Sequence, residues 1–306
     1  MSTFKYIGIE TTTVCNSECS CCPRSSQYEH RFTTMPMQLF KKIIIDIRDN
    51  HEITSLLRFG GMGDASCDKL LLERLRFLKE EAPNLKFGLS SNMSGWKKRY
   101  TDIIISEQLT THMRFSILAY SEEGSQKIYG KRDQAAQARE SIDYFIDANN
   151  KAGHPLWIEV YTLLFAEFEK EVDLIREKYW DVADEFEVWR PHSWANRFPT
   201  LRANQPERRP CASVSRMDQP LIGIRGDVVP CSMDINYALS LGNLKEKNLE
   251  DVIHGKKCKD LQDLNKAGKI EDLNTCRGCV YLNADSSDVL VESKSHEISL
   301  DRHIAD

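Results

Sequence analysis

Long apolar runs are missing from this chain. No stretch approaches the roughly 18–20 uncharged residues that would span a bilayer, so a membrane-embedded protein is not expected. The N-terminus shows no basic region followed by an apolar stretch and a small-residue cleavage site, the pattern of a secretory signal, and the reading is therefore cytoplasmic. An excess of positive charge is missing too. The 41 Lys and Arg residues face 46 Asp and Glu and lie scattered, which argues against nucleic acid as a partner. The 8 histidines form no ligand-spaced pair, and neither an internal repeat nor a low-complexity block is present.

Cysteine, by contrast, is plentiful. The 306 residues include 10 cysteines, and without a secretion signal these point to metal binding rather than disulfides. Cys15, Cys19 and Cys22 sit near the start; Cys211, Cys231, Cys276 and Cys279 sit near the end; Cys21, Cys67 and Cys258 are left over. That division describes two separate sites.

Between them the chain alternates short apolar strands with amphipathic helices. Strands are expected at Lys5–Glu10, Leu56–Gly60, Leu85–Ser90, Met113–Leu118, Leu156–Leu164 and Phe186–Arg190. Helices are expected near Met37–Ile47, Lys69–Glu81, Ala135–Ala152 and Glu167–Tyr179. This alternation predicts an α/β fold with parallel strands and right-handed crossovers. Arg197–Pro210 reads as a linker. Beyond it, Leu221–Cys231 predicts a β-hairpin turning at Gly226-Asp227, followed by one helix over Leu249–Leu264. The expected domains are 1–200, 201–284 and a polar tail, 285–306, which could also serve as a flap.

The spacing Cys15-x-x-x-Cys19-x-x-Cys22, in the run IETTTVCNSECSCCPR just after the first strand, resembles the signature of the radical S-adenosylmethionine (radical SAM) superfamily. Three thiolates hold three irons of a [4Fe–4S] cubane and leave the fourth iron open, as catalytic metal sites do. In that family the open iron chelates the amine and carboxylate of SAM. A zinc knuckle is the other use of clustered thiols, although zinc prefers a closed set of four.

The resemblance implies a partial (β/α)6 TIM-like barrel with its chemistry at the C-terminal strand ends. Gly60, Gly61, Met62, Gly63 and Asp64 resemble the family's SAM-binding glycine segment, although relatives usually carry Glu-Pro where this chain has Asp64-Ala65. Asn92, Ser116 and Arg132 resemble further SAM contacts. Cys21 stands where relatives carry an aromatic residue beside the adenine. Cys211, Cys231, Cys276 and Cys279 resemble the twitch form of the SPASM domain, a small hairpin-and-helix module holding an auxiliary [4Fe–4S] cluster. A structural zinc on the same four thiolates is the alternative.

The implied activity begins with reductive cleavage of SAM, the electron coming from flavodoxin or ferredoxin. The resulting 5′-deoxyadenosyl radical takes a hydrogen atom from the substrate. In size and layout the chain resembles small enzymes acting on aminoglycosides or aminocyclitols, including an epimerase, so the expected substrate is carbohydrate-like. Epimerisation requires a thiol hydrogen donor, for which Cys258 and then Cys67 are the candidates. The alternatives are dehydrogenation of a sugar or cyclitol alcohol through the auxiliary cluster, and modification of a ribosomal peptide. A non-enzymatic iron–sulfur carrier or regulator would need neither an open iron nor a SAM-binding segment. Glu10, Arg190, His192 and Trp194 are the expected substrate contacts.

Overall fold

The structure, a computed structural model, describes residues 2–194, 197, 210–279, 282 and 289–294. Most of the expected linker and tail lies outside these residues. In chain order the elements are β1 (Ser2–Ile9), α1 (Arg24–Gln27), α2 (Met37–Asn50), β2 (His51–Phe59), α3 (Leu71–Glu81), β3 (Phe87–Ser91) and α4 (Lys98–Ser106). Next come β4 (His112–Ser116), α5 (Glu122–Tyr129), α6 (Gln134–Lys151), β5 (Trp157–Leu163), α7 (Glu169–Tyr179) and β6 (Glu185–Trp189). The C-terminal part adds α8 (Ala212–Arg216), β7 (Leu221–Ile222), β8 (Asp227–Val229), β9 (Gly242–Asn243), α9 (Leu249–Ile253), α10 (Lys256–Lys266) and β10 (Leu290–Ser293).

The strands form one sheet in the order β10-β6-β5-β4-β3-β2-β1-β7-β8-β9. From β1 to β6 every neighbouring pair is parallel, as helical crossovers require. The hairpin extends this sheet: Gly8 pairs with Leu221 and Ile9 with Ile222, in parallel, and β8 and β9 continue antiparallel.

Alternation along the strands sorts the side chains by face. Ile7, Ile9, Leu57, Phe59, Leu89, Met113, Phe115, Ile158, Val160, Phe186 and Val188 point to the helices and join the main core. The intervening residues, among them Tyr6, Arg58, Ser90, Arg114, Tyr161 and Trp189, line a cavity on the concave face. Helix α2 covers the convex face with Leu39, Phe40, Ile43, Ile44 and Ile47, the spacing of one helical stripe. Val214, Ile222, Val228, Leu249, Val252 and Leu261 of the C-terminal part belong to the same cluster. Barrel and hairpin therefore share one core.

Several local expectations need correction: α4 has no counterpart in the sequence reading, and Leu290–Ser293 of the expected tail pairs antiparallel with β6 as β10. The single helix expected over Leu249–Leu264 is two, because Gly255 takes an extended conformation (φ −70°, ψ 167°) between α9 and α10. Glycine is the weakest helix former after proline. Helix α5, absent from the sequence reading, has both end signals: the Ser121 hydroxyl accepts from the Gly124 N–H at 2.9 Å, and Gly130 stops the helix at φ +73°.

Ile222 is fully buried where β7 meets β1. Ile222→Ala should cost about 2–5 kcal/mol. Because the core is shared, urea unfolding should shift as one transition rather than split; separate barrel and hairpin transitions would refute a common core.

Candidate cofactor and substrate site

The cysteine loop leaves β1 and is pinned at several points. The Cys22 N–H donates to the Cys19 carbonyl at 2.9 Å, and the Ser20 N–H reaches the Ile128 carbonyl at 2.8 Å. The Arg24 guanidinium donates to the Ser17 carbonyl at 2.7 Å. Loops after β2 and β3 hold its other side. Asp64 accepts from the Ser66 N–H at 2.9 Å, the Ser91 hydroxyl at 2.9 Å and the Asn92 N–H at 2.6 Å. The Asn92 amide donates to Asn16 at 2.9 Å and Ser17 at 3.1 Å, with Cys15 Sγ 3.7 Å away. Asp64 and Asn92 are expected as cofactor contacts; in this structure the Asn92 side chain braces the cysteine loop, while the Asp64 carboxylate ties the loops after β2 and β3 and its N–H donates to the Val14 carbonyl at 2.9 Å.

The glycine segment is dictated by close approach. A Cβ on Gly61, at φ +138°, would lie 2.5 Å from Glu10 Oε1, and one on Gly63 would lie 2.2 Å from the Thr12 carbonyl oxygen. Gly60 is different: a Cβ there meets nothing within 4 Å, and Gly60 and Gly61 both border the cavity. Met62 is buried, and its N–H donates to Glu10 at 2.7 Å.

Burial and mutual proximity hold both sets of cysteines in the neutral thiol form. Burial pushes Cys15 up to about 12, with Asp64 adding to the effect. Burial raises Cys19 as well, and Cys21, Cys22 and Cys15 raise it further. Cys22 is raised by burial. In the second set, burial raises Cys231, followed by Cys279, Cys211 and Cys276, and takes Cys276 to about 12. Cys211 is raised by burial too. Close-set, dehydrated sulfurs suit a cationic iron–sulfur core, which would displace their protons and balance the thiolate charge that burial otherwise disfavours. Among the described residues, no three His, Cys, Asp or Glu side chains form a ready single-ion site. The residues fit clusters at both places.

Buried Asn265 clips the second set to α10, accepting from the Cys211 N–H at 2.8 Å and donating to the Cys211 carbonyl at 2.9 Å. Cys211, Cys231 and Cys279 border the same cavity, of about 270 Å³, as Arg58, Arg114, Tyr161, Trp189 and His192. Four charges lie beneath it. Arg58 bonds Glu159 at 2.8 Å, while Arg114 bonds Glu159 at 2.6 Å and Glu187 at 2.5 Å. Trp189 Nε1 donates to Glu187 at 3.0 Å.

Of the four expected substrate contacts, only His192 borders the cavity. Its Nε2 lies 3.2 Å from the Tyr161 hydroxyl. Burial, followed by the Arg114 charge, lowers it to about 4, so its ring is neutral at pH 7. Glu10 is corrected: its carboxylate is buried and accepts from the Met62 N–H, the Ile224 N–H at 3.3 Å and the Tyr237 hydroxyl. Burial raises its pKa. It fastens the glycine segment to the hairpin instead of facing a ligand. Arg190 is exposed on the way out of β6, and Trp194 Nε1 donates to the Cys21 carbonyl at 2.8 Å. Ser116 is half-buried at the end of β4, and Arg132 is exposed after α5.

Cys258 also needs correction. It is 1 % exposed within the apolar core on α10, raised by burial alone, and does not border the cavity. Cys67 stands beside Ser66, 3.9 Å from its hydroxyl, and likewise does not border the cavity. The sequence reading missed Tyr6, Arg58, Ser90, Arg114, Tyr161 and Trp189. Their signal was available: polar residues recur at every second position of strands whose other positions are apolar.

Gly63→Ala should destabilise the protein by about 1–3 kcal/mol through overpacking against backbone, while Gly60→Ala should leave stability within about 0.5 kcal/mol; melting temperatures compare them. A pH series tests His192. Its folded-state pKa lies below the ordinary 6.5, so on acidification the unfolded chain takes the proton first. His192 therefore costs stability increasingly from about pH 6.5 down to about pH 4 and nothing above. The stability of the wild type relative to His192→Phe should fall through that window; a flat difference would contradict the shift.

Residues 211–280 match the SPASM family, an iron–sulfur cluster-binding domain. No curated protein matches the chain in sequence. Among solved structures, BtrN in complex with AdoMet and 2-DOIA superposes with a TM-score of 0.65 at 16% identity, covering 94% of this chain and 98% of that one. Streptococcus suis SuiB bound to the precursor peptide SuiA gives 0.66 at 13% identity, covering 86% of this chain and 67% of that one. anSMEcpe with bound AdoMet and the Cp18Cys peptide gives 0.61 at 11% identity, covering 91% and 89%. At these identities the likeness is one of fold. The chain thus has the partial-barrel fold of the radical SAM enzymes and carries a SPASM iron–sulfur cluster-binding domain at its C-terminal end.

Proposed function

We propose that this radical SAM protein catalyses the two-electron oxidation of a carbinol carbon, to a carbonyl, in a small polyhydroxylated ring such as a sugar or aminocyclitol. Cys15, Cys19 and Cys22 would hold a [4Fe–4S] cluster together with SAM, and Cys211, Cys231, Cys276 and Cys279 a second cluster; these groups supply hydrogen-atom abstraction and an electron sink. One observation carries the choice of reaction. The cysteines that border the cavity, Cys211, Cys231 and Cys279, all belong to the second set, while Cys258 and Cys67 do not reach it. Epimerisation needs a spare thiol at the substrate, and oxidation needs an electron acceptor there. The arrangement suits oxidation.

The remaining residues then have definite work. Oxidation of a carbinol releases one hydrogen atom, one electron and the hydroxyl proton. A substrate hydroxyl beside Tyr161 passes that proton through the phenol to the His192 ring, whose Nε2 is 3.2 Å from the Tyr161 oxygen, and this weakly basic ring hands it on to solvent. Burial raises the Tyr161 phenol, so it relays the proton without remaining ionised. Trp189 supplies an apolar wall for a ring face. A cavity of about 270 Å³ suits one small ring better than a folded peptide. The crystal structure of BtrN with AdoMet and 2-DOIA supports a small-molecule ligand, and the peptide complexes of SuiB and anSMEcpe supply the competing class.

Reconstituted holoenzyme, incubated anaerobically with SAM, a low-potential reductant and aminocyclitol or aminosugar candidates in D2O, tests this reading. The expected product is two mass units lighter than substrate, free of deuterium, and equimolar with deoxyadenosine. An isomer carrying one deuterium would replace oxidation by epimerisation, and absence of deoxyadenosine would remove the radical chemistry. Cys258→Ala should keep turnover while lowering stability by about 1–2 kcal/mol; lost turnover with normal deoxyadenosine would return Cys258 to the mechanism.

A further inference from the structure

Arg58 is the one cavity-lining cation with an unmet donor among the described residues. It is 8 % exposed, and its Nε–H is buried without an acceptor. Its terminal nitrogen is committed to Glu159 at 2.8 Å, and its guanidinium lies 5.7 Å from the centre of the Tyr6 ring. In the sheet it pairs with Gly8 on one side and Gly88 on the other. Neither neighbour brings a side chain, so the guanidinium is free to cross the concave face from β2 to β5. A buried Nε–H without a partner is costly unless something fills the place.

We propose that Arg58 is the substrate anchor: its Nε–H donates to a hydroxyl oxygen of the ring bound in the cavity. This rests on the reading of the cavity as the substrate site and adds which group of the substrate must face β2. Arginine has donors only, so the group it meets must be an acceptor, never an ammonium. Arg58 and Arg114 are already balanced by Glu159 and Glu187. A substrate carboxylate would add an unbalanced negative charge beside Cys211, Cys231 and Cys279, so the neutral hydroxyl fits. An aminocyclitol must therefore bind with its amino group turned away from Arg58. Arg58 thereby restricts which carbon of the ring lies beside Tyr161.

The test uses holoenzyme and three named probes, myo-inositol, D-glucosamine and streptamine, with binding read from tryptophan fluorescence, since Trp189 borders the cavity. Arg58→Lys keeps the charge against Glu159 and removes the planar Nε–H. Binding of the probes that the wild type holds should weaken at least tenfold, a loss suited to a hydrogen bond from a charged donor. The far-ultraviolet circular dichroism and the cluster absorbance of the variant should match those of the wild type, which a merely structural role would not predict. If Arg58→Lys fails to fold, the double variant Arg58→Met/Glu159→Gln removes both buried charges and gives the same readings. Equal affinity in wild type and variant overturns the anchor while leaving the oxidation reading intact. A wild type that forms deoxyadenosine but binds none of the three rings overturns both.

Discussion

Charge placed inside a barrel must be neutralised inside it, and that constraint organises the concave face of this protein. Arg58, Arg114, Glu159 and Glu187 come from β2, β4, β5 and β6, and their ion pairs tie these strands together across the cavity floor. Each partner depends on the others, because an uncompensated buried charge costs several kcal/mol. The floor is thus rigid and polar at once. That suits the small hydroxylated ligand proposed for it.

The same logic applies to the loops above the floor. Asp64 gathers donors from Ser66, Ser91 and Asn92, and Glu10 gathers them from Met62, Ile224 and Tyr237. One carboxylate therefore joins the loop after β2 to the loop after β3, whose Asn92 amide reaches the cysteine loop, and the other joins the glycine segment to the hairpin. Both cysteine sets are positioned relative to one cavity by these two side chains and by the parallel pairing of β1 with β7. The auxiliary module behaves as a continuation of the barrel sheet. Its thiols reach the cavity because the sheet carries them there.

Much of this was legible in the residues. Six strand segments and the longer helices follow from period-2 and period-3.6 patterns, which depend only on local geometry. Both cysteine groups are fixed by spacing, and the break at Gly255 and the Ser121–Gly130 signals of α5 were present to be read. The concave charges were present too, as Arg58, Arg114, Glu159 and Glu187, but in isolation each is simply a polar residue in a strand.

The amino-acid order by itself determined the α/β alternation, the two thiol sets and the glycine run after β2, since each is a matter of neighbours along the chain. Tertiary structure decided what those residues face. It buried Cys258 in the core, turned Glu10, Asp64 and Asn92 into internal ties, and brought Cys211, Cys231 and Cys279 to the cavity that holds Arg58 and His192. Periodicity assigns a side chain to one face of a strand. Which partners meet it there depends on sheet curvature and on contacts between positions more than a hundred residues apart, as Arg58 and Glu159 are.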